Sequence, residues 1–129
     1  MKFVCLGYMD WAKFESVPED ERDEMFHQAV QYDDGLRRSG HVTGGEALQG
    51  PDTAATVRWN NGKALVTDGP FAETKEQLGG IFILEARDQK HAIELVSQHP
   101  GVRFGPIEVR PAEDFAEMVR RNEERRKKA

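Results

Sequence analysis

Two acidic side chains lie at positions where a carboxylate can do proton-transfer chemistry. Asp68 is followed by Gly69-Pro70, which forces an extended or turn conformation and fixes the carboxylate at the end of a predicted strand. Glu46 shares a strand face with Val42 and Leu48 if the alternation of that strand is regular. Carboxylates in apolar surroundings are suited to general acid–base catalysis. We therefore predict that Asp68 and Glu46 share the acid and base roles of a catalytic site.

Both carboxylates also have purely structural interpretations. Asp68 can accept hydrogen bonds from nearby backbone N–H groups in an Asx-type turn, which would make it a corner residue. Glu46 can be an ordinary surface side chain on an edge strand, because the adjacent Gly44-Gly45 pair favours a bulge that shifts the strand register. The sequence leaves these alternatives open.

Four further side chains are candidates for binding a substrate. Lys75 and Arg58 are cations that can orient an anionic group, Phe71 is an apolar neighbour of Asp68, and Trp11 can roof a pocket. The alternatives are a solvated loop charge for Lys75 and packing in the core or at a dimer edge for Trp11. A small-molecule ligand is the partner that this set predicts.

Histidine is the usual proton shuttle near neutral pH, and the chain has four histidines. They are dispersed, without an HxH or HExxH pair, so we expect no metal site. His27 lies within a predicted helix and is a third candidate for catalysis, with a structural role as the alternative. Cys5 lies in an apolar run and is predicted to be a buried thiol. There is no phosphate-binding loop, and we expect no cofactor.

Composition limits the classes of partner. The chain has 129 residues, which is enough for one domain, and a net charge of −5, which disfavours nucleic-acid binding. Residues 120–129 are the exception, with six basic and two acidic side chains. No apolar run approaches the roughly 20 residues of a membrane span, and the first residues lack the cleavage site of a signal peptide. These features predict a cytoplasmic protein without a membrane partner.

The pattern of apolar residues predicts the order of the elements. A strand at Phe3–Tyr8 precedes a loop and then a helix that opens at Ser16, where Ser16 and Glu19 fit a capping box. A strand at 41–48 precedes a hairpin whose turn is Asn61-Gly62, which tolerates positive φ. A strand at 81–86, a helix capped by Asp88, a strand at 102–110 and a short final helix complete the chain.

This order predicts the α+β class, as a ferredoxin-like βαββαβ protomer with an inserted β-hairpin. The first and third strands of that fold are central, and here those two strands are apolar on both faces. Both helices cover one face of the sheet, so the other apolar face needs another cover. We predict a homodimer packed through the open sheet face.

The string "GGEAL" (44–48) and the string "VTDGPFAETKEQLGG" (66–80) resemble the DGPF, or DGPFAETKE, family of YCII-related proteins. "PEDER", "NGK" and "IEVRP" also fall where members of that family have them. The resemblance covers residues 1–112, which we take as the domain, and leaves residues 113–129 as a C-terminal helix and charged tail.

The resemblance implies a dimeric α/β barrel built from ferredoxin-like protomers. It also implies a His–Asp pair in a cleft, for which Asp68 is the nominated acid and His27 the nearest histidine, although His27 is offset from the family position. Related proteins are small cofactor-free enzymes, so the implied function is acid–base chemistry on a lactone- or acid-like molecule. The alternative is a non-catalytic ligand-binding or regulatory partner linked to sigma-factor signalling, the association that many family members have.

Overall fold

The structure, a computed structural model, describes residues 1–129. Six strands and four helices follow one another along the chain, with two short 3₁₀ turns at Pro51–Thr53 and Pro100–Arg103. The elements are β1 (Lys2–Met9), α1 (Trp11–Glu15), α2 (Glu19–Arg38), β2 (Val42–Ala47), β3 (Ala55–Asn60), β4 (Lys63–Asp68), β5 (Gln77–Glu85), α3 (Gln89–Ser97), β6 (Ile107–Pro111) and α4 (Phe115–Lys128). No helix is long and apolar enough to cross a membrane.

Four strands form the main sheet, in the order β2-β5-β1-β6 with every pair antiparallel. This is the strand order of a ferredoxin-like fold, and it places β1 and β5 at the centre as the sequence predicts. Strands β3 and β4 form a separate two-stranded sheet, which is the inserted hairpin. The α+β class is therefore confirmed.

The core lies between one face of the main sheet and helices α2 and α3. Phe3 and Cys5 on β1 and Leu84 on β5 have no solvent-exposed surface. Ala92 and Val96 of α3 pack against them. Burial raises the pKa of the Cys5 thiol to about 11, so this cysteine is not a thiolate near neutral pH and has the structural role predicted for it.

The start of α2 differs from the prediction. Ser16 does not cap α2, because it closes the preceding short helix α1, where its hydroxyl donates to the Lys13 carbonyl at 2.5 Å. Asp10 caps α1 by accepting from the Lys13 N–H at 3.1 Å, so the segment predicted as a loop is partly helical. Pro18 precedes α2 without a side-chain cap. Asp10 is itself a favourable N-cap residue, so the first helix begins at Trp11, earlier in the chain than predicted.

The hairpin has the predicted turn and register. Asn61 and Gly62 have φ values of 51° and 81°, and Trp59 faces Ala64 while Val57 faces Val66. Trp59 is 75% exposed, which shows that the apolar face of the hairpin does not pack on the main sheet. The bulge predicted at the double glycine is also present, as a register shift between Val42 and Gly44.

Candidate active site

A cavity of about 430 Å³ lies between α2, the 3₁₀ turn after α3 and the β2, β5 and β1 strands. Its acidic and basic lining residues are Asp33, Arg37, Glu46 and His99. Its walls contain the glycines Gly7, Gly44, Gly45, Gly79, Gly80 and Gly101, and the aromatic residues Tyr8, Phe82 and Phe104. A cavity of this volume, largely apolar with a few polar groups, is typical of small-molecule sites.

Asp33 and His99 form a hydrogen-bonded pair at this cavity. The His99 Nε2 atom lies 2.8 Å from Asp33 Oδ1, and the Gly101 backbone N–H donates to His99 Nδ1 at 2.9 Å. A backbone N–H is always a donor, so Nδ1 must be the bare nitrogen of the imidazole, and the proton is then on Nε2. His99 therefore donates to the Asp33 carboxylate. The backbone N–H of Gly101 thus defines both the tautomer of His99 and the direction of its bond to Asp33.

Aromatic neighbours hold the imidazole in place. Phe82 stacks on the His99 ring with centroids 5.7 Å apart and an interplanar angle of 14°. Tyr32 meets the same ring edge-on at 5.6 Å, and its hydroxyl donates to the Leu95 carbonyl at 2.5 Å. Burial, and then the charge of Asp33, raises the pKa of the Tyr32 phenol, which keeps it a donor.

The two members of the pair differ in their access to the cavity. The His99 side chain is 11% exposed and both of its nitrogens are occupied, whereas the Asp33 side chain is 38% exposed. Asp33 makes its protein hydrogen bond through Oδ1, which leaves Oδ2 without a protein partner. The oxygen available to a bound molecule therefore belongs to Asp33, and His99 orients the carboxylate and donates to it.

The predicted catalytic residues do not come together. Glu46 is an exposed residue of β2 that lines the cavity. Asp68 is the last residue of β4, exposed and outside the cavity lining, because the hairpin that carries it leaves the main sheet. His27 is exposed on α2 and does not line the cavity either. Of the three candidates, only Glu46 is at this site.

The predicted binding residues lie in two other places. The Arg58 guanidinium donates to the Phe71 carbonyl at 3.1 Å and lies 5.4 Å from the centroid of the Phe71 ring, so these residues tie the hairpin to the loop after it. Lys75 and Trp11 line a separate cleft beside α1. None of the four lines the cavity that contains the Asp33–His99 pair.

Sequence reasoning missed Asp33 and His99, although each carried a weak signal. Asp33 is the acidic member of the otherwise apolar face of α2, and His99 follows the apolar face of α3. The helix ends at Ser97, and His99 caps the 3₁₀ turn instead of packing as a helical residue. No group of three or more histidine, cysteine, aspartate or glutamate side chains is arranged to hold a metal ion.

Comparison with known proteins gives a family and a fold. The model of the YCII-related domain matches residues 1–116. An uncharacterized protein of Rhizobium meliloti (strain 1021) is 42% identical over 121 residues, which cover 86% of this chain and 91% of that protein.

One solved structure resembles the chain at 15% identity and a TM-score of 0.52, covering 88% of this chain and 94% of the other. It is the 5-chloro-2-hydroxyhydroquinone dehydrochlorinase of Burkholderia phenoliruptrix AC1100, in complex with 2,5-dihydroxybenzoquinone. At this identity the likeness concerns the fold.

Proposed function

Because the chain belongs to the YCII-related domain family, we propose that it is a cofactor-independent enzyme that moves protons on a small organic molecule. The observation that carries the proposal is the 2.8 Å contact between His99 and Asp33 at the wall of a ligand-sized cavity. The dehydrochlorinase with a similar fold is a small-molecule enzyme, which supports the same class of activity for this chain.

In the proposed reaction Asp33 is the proton-transfer group. Its free Oδ2 accepts a proton from an acidic C–H or O–H bond of the substrate, while the Nε2–H of His99 keeps its bond to Oδ1. The carboxylic acid so formed returns the proton to the same or a neighbouring atom of the substrate. Glu46 also belongs to the cavity lining, but it pairs with Ile81 and its side chain is therefore on the sheet face away from α2, so Asp33 alone takes and returns the proton.

A deuterium-exchange screen tests this proposal. The wild-type chain is incubated in D₂O with small lactones, enolisable acids and phenols, and proton NMR follows the loss of exchangeable C–H signals. We expect catalysed exchange in at least one compound, and we expect Ala47→Trp to abolish it, because Ala47 lines the cavity and a large ring there fills it.

Ala55→Trp is the matched control, since Ala55 is also an exposed strand residue but does not line the cavity. It should leave the exchange unchanged. Equal exchange by the wild type and Ala47→Trp, or no exchange in any compound, contradicts the proposal.

We also propose that two chains pair through the open face of the main sheet. Val4 and Leu6 alternate with the buried Phe3 and Cys5, so they lie on the face away from the helices. Ile83 and Ile81 of β5 are their partners across the ladder. Helices α2 and α3 pack on the other face of the sheet, and a second copy is the cover that supports a dimeric α/β barrel.

Light scattering tests the pairing. We expect a mass twice the 14.6 kDa of the chain, and a return to the single-chain mass for Leu6→Glu, because the buried charge has no partner in the interface. Ile93→Glu is the control, since Ile93 is 49% exposed on α3, away from this face. A wild-type mass near 14.6 kDa at micromolar concentration would contradict the proposal.

Two finer assignments belong with this proposal. The string at residues 66–80 supports membership of the DGPF subgroup within the YCII-related family. A cytoplasmic location fits a chain with one buried cysteine.

A further inference from the structure

We infer that the substrate is a small, flat organic anion such as an aromatic carboxylate, and that Arg37 binds its charged group. This inference rests on the proposed function, because it assigns the substrate class of the same cavity. Arg37 takes the role that the sequence suggested for Arg58 and Lys75, since neither of those two cations lines the cavity.

Arg37 is positioned to share a ligand with Asp33. It lies one helical turn after Asp33 on α2, so the two side chains are on the same face, and both line the cavity. Four helical residues span about 6 Å, which is comparable with the length of a small ring acid. A molecule whose carboxylate is on Arg37 therefore presents its far edge to the Asp33 carboxylate.

The guanidinium of Arg37 is available for a ligand. Its one hydrogen bond to protein runs from Nη1 to Asp34 Oδ1 at 3.2 Å, and the two side chains are 58% and 52% exposed. Exposed ion pairs contribute little, so a bound anion can compete for this group. The remaining N–H donors form the planar fork that suits a carboxylate.

The charged side chains of the lining leave an anion one favourable position in the cavity. Glu46 and Asp33 are the acidic residues of the lining, and Arg37 is its one permanent cation. The Asp33 charge is partly compensated by the hydrogen bond from His99. An anion therefore has one attractive position, on Arg37, and in that position its own acidic proton faces the proton acceptor.

Glycines make part of the wall flat. Gly44 and Gly45 on β2 and Gly79 and Gly80 on β5 line the cavity at different points of the strand pair, where Gly45 faces Phe82 and Gly80 faces Ala47, so bare peptide backbone lines these parts of the wall. Gly45 is also required by packing, because a Cβ there would lie 2.8 Å from the Ile81 carbonyl oxygen and 2.9 Å from the Phe82 Cβ. A planar ring can approach such a wall more closely than a branched aliphatic group can.

Binding of benzoate and benzamide tests the inference, because the two molecules share a shape and differ in charge. NMR titration of the wild-type chain should give a benzoate affinity at least about tenfold higher than that of benzamide, the difference that one charge-assisted bond supplies. Arg37→Gln should remove this preference, and Arg37→Lys should retain part of it. Arg38→Gln is the control, since Arg38 does not line the cavity, and it should behave as the wild type.

Asp33→Asn should keep the preference for benzoate, which separates this test from the exchange screen. A benzoate preference that survives Arg37→Gln overturns the inference. Equal binding of the two compounds by the wild type, or binding of neither, overturns it as well. In those cases catalysed exchange in uncharged compounds would leave the acid–base function in place with a different substrate class.

Discussion

Asp33→Asn should lower the rate of catalysed deuterium exchange by about 10²–10⁴-fold, the usual contribution of a positioned general base. The amide has nearly the shape of the carboxylate and can still accept a bond from His99 through its oxygen, so the cavity should keep its geometry. It has no basic oxygen to receive a proton from the substrate. The expected loss is therefore chemical rather than structural, and NMR measurement of the exchange rate gives its size.

Variants of Asp33 and His99, with one control variant on the same helix, define the roles of the two residues. Asp23→Asn removes a carboxylate from an exposed position of the same helix and should leave the rate unchanged. His99→Gln keeps an N–H donor near the Nε2 position and should retain more exchange than His99→Phe, because His99 is a positioning residue. An Asp33→Asn variant as active as the wild type would remove Asp33 from the mechanism.

Gly105→Ala should destabilise the protein by about 3 kcal/mol, the upper part of the range for overpacked sites. An added Cβ would overlap the Tyr8 carbonyl oxygen and lie 2.9 Å from the Tyr8 carbonyl carbon, and backbone atoms cannot rotate away. The same junction includes the hydrogen bond from the Tyr8 N–H to the Pro106 carbonyl at 2.9 Å. Urea denaturation, followed by circular dichroism, measures the free energy of unfolding.

Gly35→Ala is the matched control for this substitution. Gly35 lies within α2, and no atom is within 4 Å of the position of an added Cβ. Alanine is the better helix former there, so this variant should be more stable than the wild type by about 0.5–1 kcal/mol. Equal stability of the Gly105→Ala variant and the wild type would show that β1 and the segment before β6 are not packed as tightly as described.

The fold was largely predictable because its strongest signals are local. The two-sided apolar runs of β1 and β5 require cover on both faces, which places these strands at the centre of the sheet. Asn61-Gly62 specifies its hairpin within two residues, and the observed φ values agree. The start of α2 was less predictable, because Asp10 and Ser16 both favour helix termini and the sequence does not show which helix each serves.

The site was mostly not predictable, for a geometric reason. Asp33 and His99 are 66 residues apart, and their contact depends on how α2 packs against the turn after α3. Hydrophobic periodicity identifies the buried face of each helix. It does not show which residues along two elements come into contact when the elements pack. Asp68 was a candidate because of the turn that follows it. Nothing in the sequence shows that the hairpin with Asp68 forms a sheet separate from the main sheet, to which Glu46 belongs.

The tautomer and partner of His99 give the most direct test of the central claim, that Asp33 is the proton acceptor of the cavity and is oriented by His99. Long-range ¹H–¹⁵N NMR on a chain with labelled histidine distinguishes protonated from bare imidazole nitrogens, and the His99 signals are those lost in His99→Gln. The structure predicts a proton on Nε2, a bare Nδ1 and a change in the Nε2–H signal in Asp33→Asn. A proton on Nδ1, or an Nε2 signal that does not respond to Asp33→Asn, would contradict the claim.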